Sequence, residues 1–197
     1  PMLNTGSLAP MAATVSINVT GEAMDVWTDI YYLTFHANDS RGVPVANAMV
    51  SLYLGDVLIN SNSTGTDGTA LMRLPATLLD LRVIWRGAQV YRSPLTVTGD
   101  GDVNLDLTVY YVTFETVDSR STAVSDAAIS IHSSTTGEFL ASLATDANGS
   151  AAVRLPGGTY TLDVVWMNVQ VGLFTGYSLV TDVPVLVLEL DVYYIDF

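Results

Sequence analysis

In parts of this chain apolar and polar residues alternate with a period of two. TYTLDVVW, residues 159–166, alternates in this way, the pattern of a strand with one buried face. In MAATVSINVT, Met11, Ala13, Val15, Ile17 and Val19 fall on one side, with Thr14, Ser16, Asn18 and Thr20 on the other. No stretch sustains the i, i+3, i+4, i+7 spacing of an amphipathic helix. The apolar runs are short and rich in Val, Ile, Thr and Tyr, and turn signals such as GTDGT (65–69) and TDANGS (145–150) separate them. An all-β protein is predicted.

The chain also repeats itself. DSR at 39–41 recurs at 118–120 and NAMVSL at 47–52 returns as DAAISI at 126–131, both offset by 79 residues. RLP at 73–75 and 154–156, and VIWRGAQV (83–90) against VVWMNVQV (164–171), are offset by 81, which places a two-residue insertion around STTGEF. A fixed period of this size marks a structural unit used twice. About seven strands in about 80 residues predict one small β-sandwich per copy. Trp85 and Trp166, the tyrosine pairs 31/32 and 110/111, and Phe35 and Phe114 occupy equivalent places and are expected to be packing anchors.

The succession DSRGVPVANAMVSLYL…TGTDGTALMRLP, answered by DSRSTAVSDAAISIHS…ATDANGSAAVRLPGGTYTLDV, resembles the carboxypeptidase-regulatory-like, or prealbumin-like, repeats found in tandem on secreted and archaeal surface proteins. The resemblance covers residues 29–190 and rests on the D-x-x-G turn before RLP and the GTYTL strand after it. It implies two tandem Ig-like sandwiches serving as spacer, adhesive domain or filament subunit. The second copy departs from the DSxGxPV turn, with DSRSTAV in its place.

The extremities look like pieces of neighbouring copies. DVYYIDF (191–197) nearly repeats DIYYLTF (29–35) and TVYYVTF (108–114), where it opens a folded unit. SINVTGEAMDVWTDIYYLTF (16–35) imitates SPLTVTGDGDVNLDLTVYYVTF (93–114), where one unit runs into the next. The expected organisation is an N-terminal tail over 1–24, a first sandwich over 25–107 and a second over 108–197. Met11, Ala13, Val15, Ile17 and Val19 then form a donor strand for insertion into a neighbouring subunit. Tyr193, Tyr194, Ile195 and Phe197 form a C-terminal junction strand. Such head-to-tail addition does not close on itself and grows into a fibre. The likeness to archaeal thread-type filaments, also built from β-domains with a donor tail, is architectural. In the alternative, residues 12–20 fold back on their own first domain and the last residues extend the last strand.

Composition narrows the partners. Asp and Glu outnumber Arg by 20 to 7, Lys is absent, and the net charge is −13, which excludes nucleic acid and anionic lipid as partners. Cysteine is absent, so disulfides and thiolate metal sites are unavailable, and the missing lysine rules out Lys–Asn crosslinks. Apolar residues make up 49% of the chain, yet no run reaches the ~18 residues of a membrane helix. PMLNTGSLAP has no basic stretch followed by an apolar core and reads as a mature end after removal of a targeting segment. Sequons stand at Asn18, Asn38, Asn62 and Asn148 and read as N-glycan sites or as unmodified loop asparagines.

Catalytic constellations are missing. His36 and His132 are not equivalent, and there is no G-x-S-x-G, H-E-x-x-H or phosphate-cradling glycine loop. Asp100, Asp102, Asn104 and Asp106 alternate like calcium ligands, but Leu105 stands where an EF-hand loop needs glycine. A turn followed by a strand with one polar face accounts for the same residues. The expectation is a non-enzymatic, extracellular cell-surface filament subunit that forms a homopolymer, carries N-glycans and has a possible adhesion target. A non-polymerising two-repeat spacer or adhesin is the alternative.

Overall fold

The computed structural model describes residues 29–194. Among them are fourteen strands and no helix: β1 (Ile30–Asn38), β2 (Met49–Leu54), β3 (Val57–Ser63), β4 (Thr69–Pro75), β5 (Leu78–Trp85), β6 (Ala88–Thr96), β7 (Gly101–Asp106), β8 (Val109–Val117), β9 (Ala128–Ser133), β10 (Phe139–Ala144), β11 (Ser150–Pro156), β12 (Gly158–Trp166), β13 (Val169–Leu179) and β14 (Val183–Glu189). No helix among these residues is long and apolar enough to cross a membrane.

Two compact units divide the chain. Of the described residues, the first holds 29–38 and Pro44–Asp106, and the second holds Asp39–Val43 and 107–194. In the first, a three-stranded sheet ordered β4-β1-β7 stands with a four-stranded sheet ordered β3-β2-β5-β6. β1 runs antiparallel to β4 and parallel to β7. The second repeats this with β11-β8-β14 and β10-β9-β12-β13, β8 again antiparallel to one neighbour and parallel to the other. The duplication read from sequence offsets is therefore also a duplication of strand order and direction.

Alternation decides which residues enter each core. In β1, Leu33, Phe35 and Ala37 are buried while the residues between them are not. In β8, Val112, Phe114 and Thr116 do the same. The second core gathers Val112, Phe114, Ile129, Ile131, Leu155, Leu162, Val164 and Leu188. The indole nitrogens of Trp85 and Trp166 donate to corresponding carbonyls, Ala46 at 3.2 Å and Ser125 at 3.0 Å. These two rings are the anchors that their equivalence implied. The tyrosine pairs behave differently. Adjacent strand residues point to opposite faces, so one of each pair cannot pack inward, and Tyr32 is 49% exposed.

Buried polar groups are matched by the same devices in both units. Thr64 and Thr145 are buried. Each hydroxyl donates to a carbonyl, Val45 at 2.6 Å or Val124 at 2.9 Å, and accepts from an amide, Ala48 at 2.9 Å or Ala127 at 3.0 Å. The D-x-x-G turns depend on glycine for space as well as backbone freedom. Gly149 has φ 70°, and a Cβ there would meet the Thr116 carbonyl at 2.6 Å.

The departure of DSRSTAV from the usual turn turns out to be one of sequence, not of shape. Gly42 in the first turn has φ 73°, and Ser121 takes the equivalent place with φ 60°. A non-glycine residue there costs about 1–2 kcal/mol. Ser121→Gly is expected to raise stability by up to about 1 kcal/mol after the extra freedom of glycine in the unfolded chain is subtracted. Thr145→Val, which strands the buried Ala127 amide while the Val124 carbonyl keeps the Thr116 hydroxyl at 2.7 Å, is expected to lower it by roughly 1–3 kcal/mol. Chemical denaturation measures both; a destabilised Ser121→Gly contradicts the account of the turn.

Candidate functional site

The predicted donor residues Met11, Ala13, Val15, Ile17 and Val19, the sequon at Asn18, and Ile195 and Phe197 lie outside the described residues. Three other features among the described residues are candidates for a contact surface: the Asp-Ser-Arg turns, the strands at the sheet edges, and the sequons.

In the second unit the turn Asp39–Val43 is organised by one carboxylate. Asp39 Oδ1 accepts from the amides of Arg41 and Val43, both at 2.9 Å, the local closure that aspartate offers at a turn. Its other oxygen, Oδ2, accepts the Tyr111 hydroxyl at 2.8 Å and Arg154 Nη1 at 2.9 Å. Asp182 completes the seat. It accepts the Ser40 hydroxyl at 2.6 Å, Arg41 Nε at 2.7 Å and the Tyr111 amide at 3.0 Å. The Arg41 guanidinium lies 4.0 Å over the Tyr111 ring, and the Ser40 amide donates to the Val109 carbonyl at 3.0 Å.

Asp118 builds the same turn. Its Oδ1 accepts from the amides of Arg120 at 2.8 Å and Thr122 at 2.9 Å. The tyrosine on its Oδ2 is Tyr194, whose hydroxyl donates at 2.6 Å. Arg120 lies 4.1 Å over the Tyr194 ring, and the Ser119 amide donates to the Val192 carbonyl at 3.2 Å. Val192 and Tyr194 thus meet Asp118–Arg120 as Val109 and Tyr111 meet Asp39–Arg41. Residues 192–194 lie outside any strand. Tyr193 beside them is 71% exposed and Tyr194 is 48% exposed.

The edge strands differ between the units. β7 and β14 each end a three-stranded sheet. Pairing with β1 and β8 aligns Asn104 with His36 and Asp106 with Asn38 in one unit, and Val187 with Glu115 and Glu189 with Val117 in the other. Asp102, Asn104 and Asp106 form the exposed side of β7, with Val103 and Leu105 turned inward. On β14 the exposed side carries Val185, 46% exposed, and Val187, 52% exposed. Charged side chains on an edge strand discourage pairing with another chain; β7 carries Asp102 and Asp106 on its exposed side, whereas β14 carries one acid, Glu189 at its end, beyond the exposed Val185 and Val187.

The four residues considered for calcium are spread along this edge. The Asp100 carboxylate accepts the Tyr32 amide at 2.7 Å, and Asp102 meets His36 Nε2 at 2.9 Å. Among the described residues no three His, Cys, Asp or Glu side chains converge as a metal site would require. Of the sequons, Asn148 is exposed at the tip of a turn and Asn62 is exposed on β3, where its amide donates to the Leu71 carbonyl at 3.1 Å. Asn38 is half-buried at the end of β1.

The seat is electrostatically set. The Ser40 hydroxyl first, then Arg41 and the Tyr111 amide, outweigh the effect of burial and hold the Asp182 carboxyl down to about 2. Burial raises Asp39, but Tyr111, the Val43 amide, Arg154 and the Arg41 amide together leave it below its ordinary value. Asp118 is lowered chiefly by the Tyr194 hydroxyl. Burial, then the Asp39 carboxylate, push the Tyr111 hydroxyl upward, so it remains a donor. Carboxyls with depressed values leave the folded state binding fewer protons than the unfolded one. Their contribution is complete above the ordinary value of 3.8 and is lost as pH falls toward about 2. Thermal midpoints are expected to be flat above about pH 5 and to fall steeply below about pH 4, with Asp182→Asn removing part of that slope. A midpoint unchanged down to about pH 2 contradicts the account.

No family model and no curated protein matches the chain. Solved structures do. The minor pilin GBS52 of Streptococcus agalactiae is 14% identical, with a TM-score of 0.44 over 85% of this chain and 98% of that one. The shaft pilin SpaA of Lactobacillus rhamnosus GG is 13% identical, with a TM-score of 0.40 over 85% of this chain and 100% of that one. The TIE protein of Bacillus anthracis gives 15% and 0.35, and the chain spans 34% of its length. At TM-scores below 0.5, assembly and function rest on this chain's own residues.

Proposed function

We propose that the chain is a structural subunit of an extracellular filament that polymerises head to tail by donor-strand complementation. Residues 11–19 of one subunit are the donor, and the β14 edge of the next is the acceptor. The observation that carries this reading is the exchange of Asp102 and Asn104 on β7 for valines on β14. An edge strand with exposed apolar side chains is a template for a further strand, and the alternation of Met11, Ala13, Val15, Ile17 and Val19 suits one. Pairing across the edge satisfies amides and carbonyls, and covering Val185 and Val187 removes apolar surface from water. N-glycans at the exposed Asn62 and Asn148 would shield the rest of an apolar-rich surface.

A non-polymerising spacer or adhesin is the second reading. It is favoured by the seating of Tyr194 on Asp118, a contact that would also serve modules strung along one longer chain. Light scattering and negative-stain microscopy of the purified protein separate the two, because a spacer stays monomeric. Deleting residues 1–24 is expected to leave a folded monomer, and normal fibres from that truncation count against donation by the tail. Val187→Asp, which gives β14 the guard that β7 has, is expected to slow fibre growth about tenfold or more while circular dichroism is unchanged. Asn104→Asp, on the guarded strand, is expected to leave growth as it was.

A further inference from the structure

The first unit carries a second, matching copy of the seat. In the second unit Tyr111 and Arg154 are directly paired across β8 and β11, and the Tyr111 amide is tied to Asp182. In the first unit Tyr32 and Arg73 are directly paired across β1 and β4, and the Tyr32 amide is tied to Asp100 at 2.7 Å. The Arg73 guanidinium lies 5.5 Å over the Tyr32 ring. Tyrosine, arginine and aspartate thus recur in the same arrangement. The seat in the second unit holds Asp39, Ser40 and Arg41. Tyr32, Arg73 and Asp100 are all exposed, and no Asp-Ser-Arg turn occupies them among the described residues.

We propose that the face built by Tyr32, Arg73 and Asp100 receives the Asp118–Ser119–Arg120 turn of a second copy of this chain. The proposal rests on the head-to-tail reading above and names its end-to-end contact. The occupant is fixed by chemistry and shape together. Asp118–Thr122 is closed by the same amide-to-carboxylate bonds as Asp39–Val43, so it presents an aspartate Oδ2, a serine and an arginine in the same order. Arg73 then meets Asp118 as Arg154 meets Asp39, and Asp100 meets Ser119 and Arg120 as Asp182 meets Ser40 and Arg41. Charges are complementary at both pairs. Tyr194 stands on Asp118 where Tyr32 of the incoming copy has to stand, so docking exchanges one tyrosine for the other. The segment that leaves lies outside any strand, and the incoming Tyr32 replaces the hydroxyl that Tyr194 gives Asp118.

Charge exchange in the full-length protein tests this. Asp100→Arg and Arg120→Asp each place like charges at the contact, and each is expected to raise the concentration needed for assembly about tenfold or more. Carried together in one chain, they restore an opposite pair and are expected to bring assembly back to near the wild-type concentration. Recovery by the double variant cannot come from misfolding, and thermal melts confirm the fold of each single variant. Sedimentation velocity across a concentration series reads the result. Fibres from both single variants at the wild-type concentration, or single losses without recovery in the double variant, overturn the proposal and leave the filament reading standing. A wild-type chain that stays monomeric at every concentration overturns the filament reading, and this contact with it.

Discussion

A carboxylate withdrawn from water has to find donors, and in this protein that requirement shapes both Asp-Ser-Arg turns. Asp39 and Asp118 are buried, and each spends Oδ1 on two amides of its own turn. The remaining oxygen points out of the turn and can be satisfied only by something brought to it. Tyr111 and Arg154 serve Asp39, and Tyr194 serves Asp118. One residue therefore closes a loop and specifies what may sit on it. Charge-assisted bonds of this kind are directional and stronger than neutral ones.

The duplicated architecture makes differences between the copies informative. Most of the chemistry is held in common: the buried threonines, the turn glycines, the indole-to-carbonyl bonds and the strand order. Against that shared background the edge strands diverge: Asp102 and Asn104 on β7 give way to Val185 and Val187 on β14, while both strands end in an acid, Asp106 and Glu189. Fold requirements alone do not separate them, because both strands turn buried residues inward in the same way.

Much of the fold was legible in the alternation and the offsets. Phe35 and Phe114 are fully buried at equivalent places, and Trp85 and Trp166 make equivalent bonds. The tyrosine pairs were harder to read. Two adjacent aromatics look alike in a sequence, yet strand geometry turns them to opposite faces, leaving Tyr32 exposed and setting Tyr111 against the Asp39 turn. Ser121 hid a conserved turn shape because backbone conformation can be carried by a residue that disfavours it. The alternating acids of β7 drew attention as metal ligands, whereas their contrast with Val185 and Val187 emerged only once pairing with β1 and β8 aligned the two strands. The Asp–Tyr–Arg seats were invisible for a related reason. They join residues such as Asp39 and Arg154, which lie 115 positions apart, and no local pattern connects these.

Electron cryo-microscopy of filaments grown from the full-length protein tests the central claim most directly. The account expects residues 11–19 of one subunit to run as a strand along β14 of its neighbour. Filament density in which every subunit keeps both extremities against its own body, with no strand crossing to the next, contradicts it.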